Sequence, residues 1–390
     1  MTAIEPRLAA HTSDVETLPI KRINEALKAY PASQWRQAWS EAAELGLFRG
    51  FLPVKYGGAG QTAAEFVDIM MQLGDRVADN GLTMGLNAHV WTVQHVLATF
   101  GSESQCAAYL PAITSGRMLG AFALTETGAG SDAMKMAAHA RKHAGGYVIN
   151  GAKALIGMGP VCDIAIVFAT TAPERGNWGI SAFLVEAGDI GFIRANPQEK
   201  MGLTTLPIGA LMFEDCWVPE DRLIGPAGAG AQIIQATLDW ERCFILAPHV
   251  GAMARQLRDC MRFAERRDVF GSPVIAFQSV SNRLADMRLR LETCRAMLAR
   301  GAALYDTEQP LSQFASMANL HVSEAFLASS MDALRNFGGA GYLDGAQAGT
   351  DVTDALGGVI YSGTSDIQRQ IVVKLEQQAM RQAQRRERKE

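Results

Sequence analysis

The chain has 390 residues, 48% of them hydrophobic and 19% charged, with 36 Lys and Arg against 40 Asp and Glu for a formal net charge of −4. That length exceeds what one core of ordinary size needs, so two or three packed units are expected. The near-balanced charge argues against a general nucleic-acid or membrane-surface protein, and every apolar run is broken well short of the about 18 residues of a bilayer span.

From about Pro19 to Gly116 the spacing of apolar residues predicts helices: "INEALKAY" (23–30), "QWRQAWSEAAELGLF" (34–48) and "TAAEFVDIMMQLGDRVA" (62–78), interrupted by the loop "PVKYGGAGQ" (53–61). From about Met118 the period shortens. "MLGAFAL", "GYVING", "CDIAIVFATT", "GISAFLVEA" and "GALMFEDCWVP" are brief β-rich runs between Gly, Pro and Asn turns, which predicts an antiparallel β unit. Past "GPAGAGAQ" (225–232) the helical period returns and persists. The order is α, β, α, divided as 1–117, 118–225 and 226–380, with a basic tail at 381–390. In that tail Arg381, Arg385, Arg386, Arg388 and Lys389 mix with two Glu residues, as on a solvated helix end. There is no internal repeat. The six cysteines, Cys106, Cys162, Cys216, Cys243, Cys260 and Cys294, form no C-x-x-C pair and follow no signal peptide, so reduced thiols in a cytoplasm are expected.

Three stretches bear chemistry. "ALTETGAGSDA" (123–133) fits G-x-G-x-x-A after a short strand. A dinucleotide fold would also need a helix and a second strand ending in an acid about twenty residues on. Here "GYVING" follows and no βαβ alternation continues, so the loop is left as a possible phosphate cradle of backbone N–H groups. In "DWERC" (239–243), Glu241 has Thr237, Leu238, Phe244 and Ile245 as helical neighbours, which puts it on the greasier face. It is then either a buried partner of Arg242 or an acid whose pKa desolvation raises toward proton transfer. In "IYSGTSDIQRQIV" (360–372), a Ser-Gly-Thr-Ser turn opens a helix, with hydroxyls to cap it and Asp366 in its first turn. His89, His95 and His249 have no metal-ligand spacing, and no metal is proposed.

The α-β-α order, "ALTETGAGSDA", "ERRDVFGSPVIAFQSV" (265–280), "LRNFGGAGYL" (334–343) and "IYSGTSDIQRQIV", in that sequence, resemble the acyl-CoA dehydrogenase family from about Gly46 to Leu375. The resemblance implies an α+β fold: an N-terminal helical domain, a central β-barrel domain and a C-terminal four-helix bundle, with FAD where domains and subunits meet. It implies that Leu124 and Thr125 meet the flavin ring and that Gly130 and Ser131 meet the pyrophosphate. Arg267, Phe270 and Gln278 would reach the FAD of a neighbouring subunit. Gly338 and Gly339 would let backbone approach that cofactor, with Arg335 and Asp366 among its contacts and Thr364 at the flavin end.

Many members place a catalytic glutamate immediately before that Gly-Thr, where this chain has Ser362. A serine cannot take a substrate α-proton unaided. In the branch resembling isovaleryl- and long-chain acyl-CoA dehydrogenases the base lies in a "D-x-E-R" stretch, which here supplies Glu241, with Arg242 beside it at the substrate pocket. The implied reaction is α,β-dehydrogenation of an acyl thioester, whose carbonyl the backbone N–H of Ser362 helps to bind; the Ser362 side chain is expected at most to cap a helix. "NAHVW", "FQSVSNRLADMRLRLETCR" and "YSGTSDIQ" resemble members acting on carrier-protein-bound acyl or aminoacyl groups, including prolyl-carrier-protein dehydrogenases. The partners implied are an acyl thioester on CoA or a carrier protein, an electron acceptor such as electron-transfer flavoprotein or oxygen, and further copies of the chain in a homotetramer. The chain also departs from the family. Leu155 and Gly157 stand where an aromatic and a Thr usually lie against the flavin, Arg335 where Gln is common, and Thr353 where Arg is frequent. Leu155 and Gly157 keep open an oxidase or monooxygenase on the same scaffold, and the basic tail alone supports a non-catalytic, nucleic-acid-associated member.

Overall fold

A computed structural model describes residues 35–387, so "INEALKAY", Arg388 and Lys389 lie outside the described residues. Helices α1 (Trp35–Glu44), α2 (Ala63–Arg76), α3 (Asn80–His89), α4 (His95–Phe100) and α5 (Glu103–Thr114) come first. Their starts follow the capping chemistry of the sequence. Thr62 with Glu65, and Ser102 with Gln105, form reciprocal capping boxes for α2 and α5, and the Asp79 carboxylate caps α3. A single π turn, Val90–Gln94, joins α3 to α4 and buries Trp91 and Gln94.

Strands β1 (Gly120–Ala123), β2 (His139–His143), β3 (Gly146–Gly157), β4 (Ile164–Thr170), β5 (Ile180–Glu186), β6 (Phe192–Arg194), β7 (Ile208–Pro219) and β8 (Leu223–Ile224) form an eight-stranded sheet in the order β6-β7-β3-β2-β4-β5-β8. The antiparallel expectation needs correction at β4: β1 pairs with it in parallel, from Gly120 opposite Ile164 to Ala123 opposite Val167, and so does β2 at His139 opposite Thr170. Parallel pairing suits a strand buried on both faces, and residues 164–169 of β4 are all buried.

Helices α6 (Gly230–Phe244), α7 (Ala247–Arg266), α8 (Gln278–Asp306), α9 (Ser312–Phe337), the short α10 (Gly339–Tyr342), α11 (Gln347–Gly358) and α12 (Ser365–Glu387) complete the chain, with α9 packed against α6, α7, α8, α11 and α12. The bundle is fused to the N-terminal helices. A Cβ on Gly74 of α2 would stand 1.8 Å from the Pro248 carbonyl oxygen, and one on Gly251 of α7 would stand 1.9 Å from that of Met71. Only glycine allows the two backbones to cross this closely. Beside the crossing, Trp91 stacks on Phe244 with ring centroids 4.8 Å apart, and Asn87 Nδ2 donates to the Phe244 and Ile245 carbonyls where α6 ends. The buried Asn80 amide donates to Asp351 and Asp354 of α11, and Asp354 also accepts from the Leu203 N–H, so one polar knot ties helices to the sheet's long loop. The end of α6 is thereby held rigidly, and the candidate site is built there. Among the described residues no helix is long and apolar enough to cross a membrane.

Candidate functional site

The last turn of α6 carries Glu241 and Arg242, and the turn between α11 and α12 brings Tyr361-Ser362-Gly363 against them. Ser362 has φ +58° and Gly363 φ +95°. A non-glycine residue in the left-handed region costs about 1 kcal/mol or more, so neighbouring contacts must hold it. They are present. The Ser362 carbonyl accepts from Arg242 Nε at 3.3 Å and from the buried Gln368 Nε2 at 2.9 Å, and Gln368 also donates to the Gly363 carbonyl at 3.1 Å. The Ser362 hydroxyl donates to Glu241 Oε1 at 2.7 Å. This corrects the expectation that the Ser362 side chain serves only as a cap; Thr364 accepts the Ile367 N–H instead and caps α12.

Glu241 is half-buried. Burial raises its pKa above the ordinary carboxylate range, against the opposing pull of the Ser362 hydroxyl and the Arg242 guanidinium. Arg242 is buried, and its position against Ser362 makes it a brace of the turn as well as the nearest positive charge. The Tyr361 hydroxyl lies 3.4 Å from His249 Nε2, and burial pushes His249 down to about 3, so that ring is neutral.

A second group gathers on the sheet. Lys153 of β3, fully buried, pairs with Glu126 at 2.8 Å and donates to the Leu124 carbonyl at 3.2 Å. Glu126 accepts the N–H groups of Ala137 at 2.6 Å and Ala138 at 3.1 Å, and Ala154 N–H donates to the Thr125 carbonyl at 2.8 Å. Burial disfavours the Glu126 carboxylate, but Lys153 and these two N–H groups outweigh it and hold its pKa below the usual range. Leu124, Thr125, Gly130 and Ser131 therefore stand on a loop fixed from beneath. A register break between Lys153 and Ile156 leaves Leu155 at φ +57° and 65% exposed, with Gly157 at the strand's end.

The third group lies at the far ends of α7 and α9. Arg267 caps α7, Phe270 tops the two-stranded hairpin of β9 (Asp268–Val269) and β10 (Ser272–Pro273), and Gln278 opens α8. Phe263 and Phe337, with ring centroids 5.1 Å apart, bring this hairpin beside Gly338 and Gly339. Arg335 is engaged with Asp332 at 3.3 Å, and Asp366 with Arg369 at 3.1 Å. Among the described residues, no hydrogen bond or ion pair joins the 267–278 group to Glu241 or to the 124–131 loop. A cavity of about 620 Å³ lined by Phe51, Asp239, Trp240 and Tyr305, among others, contains none of the predicted site residues.

These residues suit FAD. Cβ atoms built on Gly128, Gly130, Gly157, Gly338 or Gly339 would meet no heavy atom within 4 Å, so their backbone is open to a phosphate or a ring. Ser365 Oγ at the head of α12 and Gln368 Oε1 are buried polar atoms without a partner. Phe270 is 97% exposed, so the face of its ring is open to a further group. Among the described residues no group of His, Cys, Asp and Glu is placed to hold a metal ion.

Family models describing the N-terminal, middle and C-terminal domains of acyl-CoA dehydrogenase match residues 14–117, 121–216 and 228–375. An L-prolyl-[peptidyl-carrier protein] dehydrogenase of Pseudomonas fluorescens is 36% identical over 352 residues, 90% of this chain and 92% of that one. The chain belongs to the acyl-CoA dehydrogenase family. Two solved structures are similar to it throughout. The prolyl acyl carrier protein oxidase AnaB has a TM-score of 0.89 and 34% identity, covering 94% of this chain and 99% of its own. PigA with FAD and proline has a TM-score of 0.90 and 32% identity, covering 95% and 98%. As an acyl-CoA dehydrogenase, the chain is an FAD-dependent oxidoreductase acting on the CH–CH bond of an acyl thioester. Sequence reasoning left Lys153, Glu126 and Gln368 unassigned. For Lys153 and Glu126 the signal lay in "TETGAG" and "NGAK", two charges 27 positions apart that meet only through the fold.

Proposed function

We propose that this acyl-CoA dehydrogenase oxidises an aminoacyl group, of the prolyl kind, carried as a thioester on a carrier protein, with Glu241 as the base. One observation carries the assignment of the base: the carboxylate of Glu241 meets the 361–364 turn, where position 362 itself offers only a hydroxyl. Glu241 Oε1 is occupied by Ser362, which leaves Oε2 to take the α-proton of the substrate. The N–H of Ser362 is assigned to the thioester carbonyl, where it favours charge developing on that oxygen. Bound FAD would supply the acceptor for the β-hydrogen, which leaves as hydride. Leu124, Thr125, Gly130, Ser131 and Thr364 would hold it from one chain. Arg267, Phe270, Gln278, Gly338 and Gly339 would hold it from another, with Leu155, Gly157, Arg335 and Asp366 at its margins.

The carrier-protein substrate is supported by the prolyl-carrier-protein dehydrogenase of P. fluorescens and by the prolyl acyl carrier protein oxidase AnaB, and the prolyl group also by PigA, solved with FAD and proline. Offered a panel of prolyl-, aminoacyl- and fatty-acyl groups on carrier proteins and on CoA, the enzyme is expected to remove two hydrogens from prolyl-carrier protein and to leave the acyl-CoA esters intact. Intact mass reads this directly, and turnover of acyl-CoA alone would reverse the substrate assignment. A second reading has its own observation. Gly157 leaves open space where the family usually carries Thr, which favours an oxidase that passes electrons to oxygen in place of electron-transfer flavoprotein. Peroxide release in stoichiometry with product distinguishes the two.

The proposal includes a homotetramer, because the 267–278 group lies apart from Glu241 in one chain and needs a neighbour to share a cofactor with it. Sedimentation is expected to give a mass of four chains, and a fully active, FAD-replete monomer would contradict the shared site. The division at 117/118 and 225/226 belongs to the same proposal, supported by α5 ending at Thr114 and the sheet running from Gly120 to Ile224. A cytoplasmic location is supported by six cysteines that are all free and buried.

A further inference from the structure

We propose that Ser362 is a positioning residue for proton abstraction: its hydroxyl, donated to Glu241 Oε1 at 2.7 Å, fixes the carboxylate so that Oε2 alone is presented to the substrate. This rests on Glu241 being the base. Three features show that the contact is built. The backbone at Ser362 is held left-handed at φ +58°, an arrangement a serine does not choose for itself. Its carbonyl is gripped from two sides, by Arg242 and Gln368, so the hydroxyl cannot drift from the carboxylate with the turn. Oε2 accepts no hydrogen bond from any described residue.

The bond also acts on charge. A hydroxyl donor stabilises the ionised carboxylate and not the neutral acid. Glu241 would otherwise meet the full cost of its burial, with only Arg242 as a nearby cation. The other titratable or charged groups around it are Asp239 on the same helix, Tyr361 in the turn, His249 on α7 behind Tyr361, and Asp354 on α11. His249 is neutral and burial raises the Tyr361 phenol, so neither supplies the missing stabilisation. In the reaction the α-proton passes to Oε2 and Ser362 keeps its own proton; the hydroxyl orients the base without exchanging with it.

The test is Ser362→Ala together with Ser362→Gly, the second of which accepts the left-handed backbone without strain. Both variants are expected to move the acid limb of single-turnover flavin reduction up by about one pH unit, a tenfold loss of rate below the limb, because a hydrogen bond to a charged group has at least this worth. The infrared carboxylate band of Glu241, isolated by subtracting the spectrum of Glu241→Gln, should titrate upward by the same interval with no substrate present. A merely structural role would lower the rate equally at every pH and leave that band in place, and this outcome overturns the proposal. If Glu241→Gln itself reduces flavin at the normal rate, the assignment of the base has failed instead. A shift in Ser362→Ala without one in Ser362→Gly would assign the effect to backbone strain and also overturn it.

Discussion

Glu241→Gln is expected to purify yellow, bind FAD and substrate, and lose flavin reduction by about 100-fold or more, the range a general base contributes. Gln keeps the shape of the side chain and still accepts from Ser362, so the turn at 361–364 should hold its position. What it cannot do is take a proton. Anaerobic single-turnover reduction isolates that step from product release and reoxidation. In the unsubstituted enzyme the pH profile should carry the mark of burial. The Glu241 pKa is raised, so the ionised base is lost as pH falls through a value above the ordinary range near 4.5, and activity rises as pH climbs back through it. A variant that reduces flavin at the normal rate would put the base elsewhere and undo the mechanism with it.

The order of helices and strands is legible because periodicity and capping are local properties. Thr62 with Glu65 and Ser102 with Gln105 mark helix starts that the fold keeps. Glu241 is legible as a carboxylate on an apolar face, but from "DWERC" alone a buried partner of Arg242 is the more ordinary reading, and only the family resemblance turns it into a base. The fold shows why that pairing is incomplete: Arg242 turns its Nε to the Ser362 carbonyl, and the carboxylate takes its hydrogen bond from the Ser362 hydroxyl. A contact across 121 positions leaves no trace in periodicity. The parallel pairing of β1 with β4 was missed for a related reason. Four residues of "GAFA" carry too little pattern to specify a direction, and the partner strand lies some forty residues on, beyond any hairpin signal.

Lys153 and Glu126 are the clearest case of a pair that composition cannot reveal and burial makes decisive. Replacing Lys153 with Met is expected to lower stability by about 3–5 kcal/mol, the cost of breaking a buried ion pair and leaving one charge behind. Met fills much of the same space, so the loss is electrostatic more than steric. Glu126 would respond by taking a proton, and its two N–H donors at Ala137 and Ala138 would then face a weaker acceptor. The Leu124 carbonyl would lose its ammonium partner at the same time, so the 124–131 loop should loosen and FAD affinity should fall with stability. Charge accounts for the sign of the pH dependence. Glu126 has a folded pKa below its unfolded one, so its contribution is present above about pH 4.5 and is lost as pH falls through the lower folded value. The gap between Lys153→Met and the unsubstituted protein should therefore be widest near neutrality and narrow in acid. Adding Glu126→Gln to Lys153→Met removes the stranded charge and should recover part of the loss, which makes the two substitutions non-additive. Thermal unfolding of Lys153→Met, of Glu126→Gln and of the double variant, with and without FAD, reads both effects, and a Lys153→Met protein as stable as the parent at pH 7 would show that the pair contributes nothing to holding the loop.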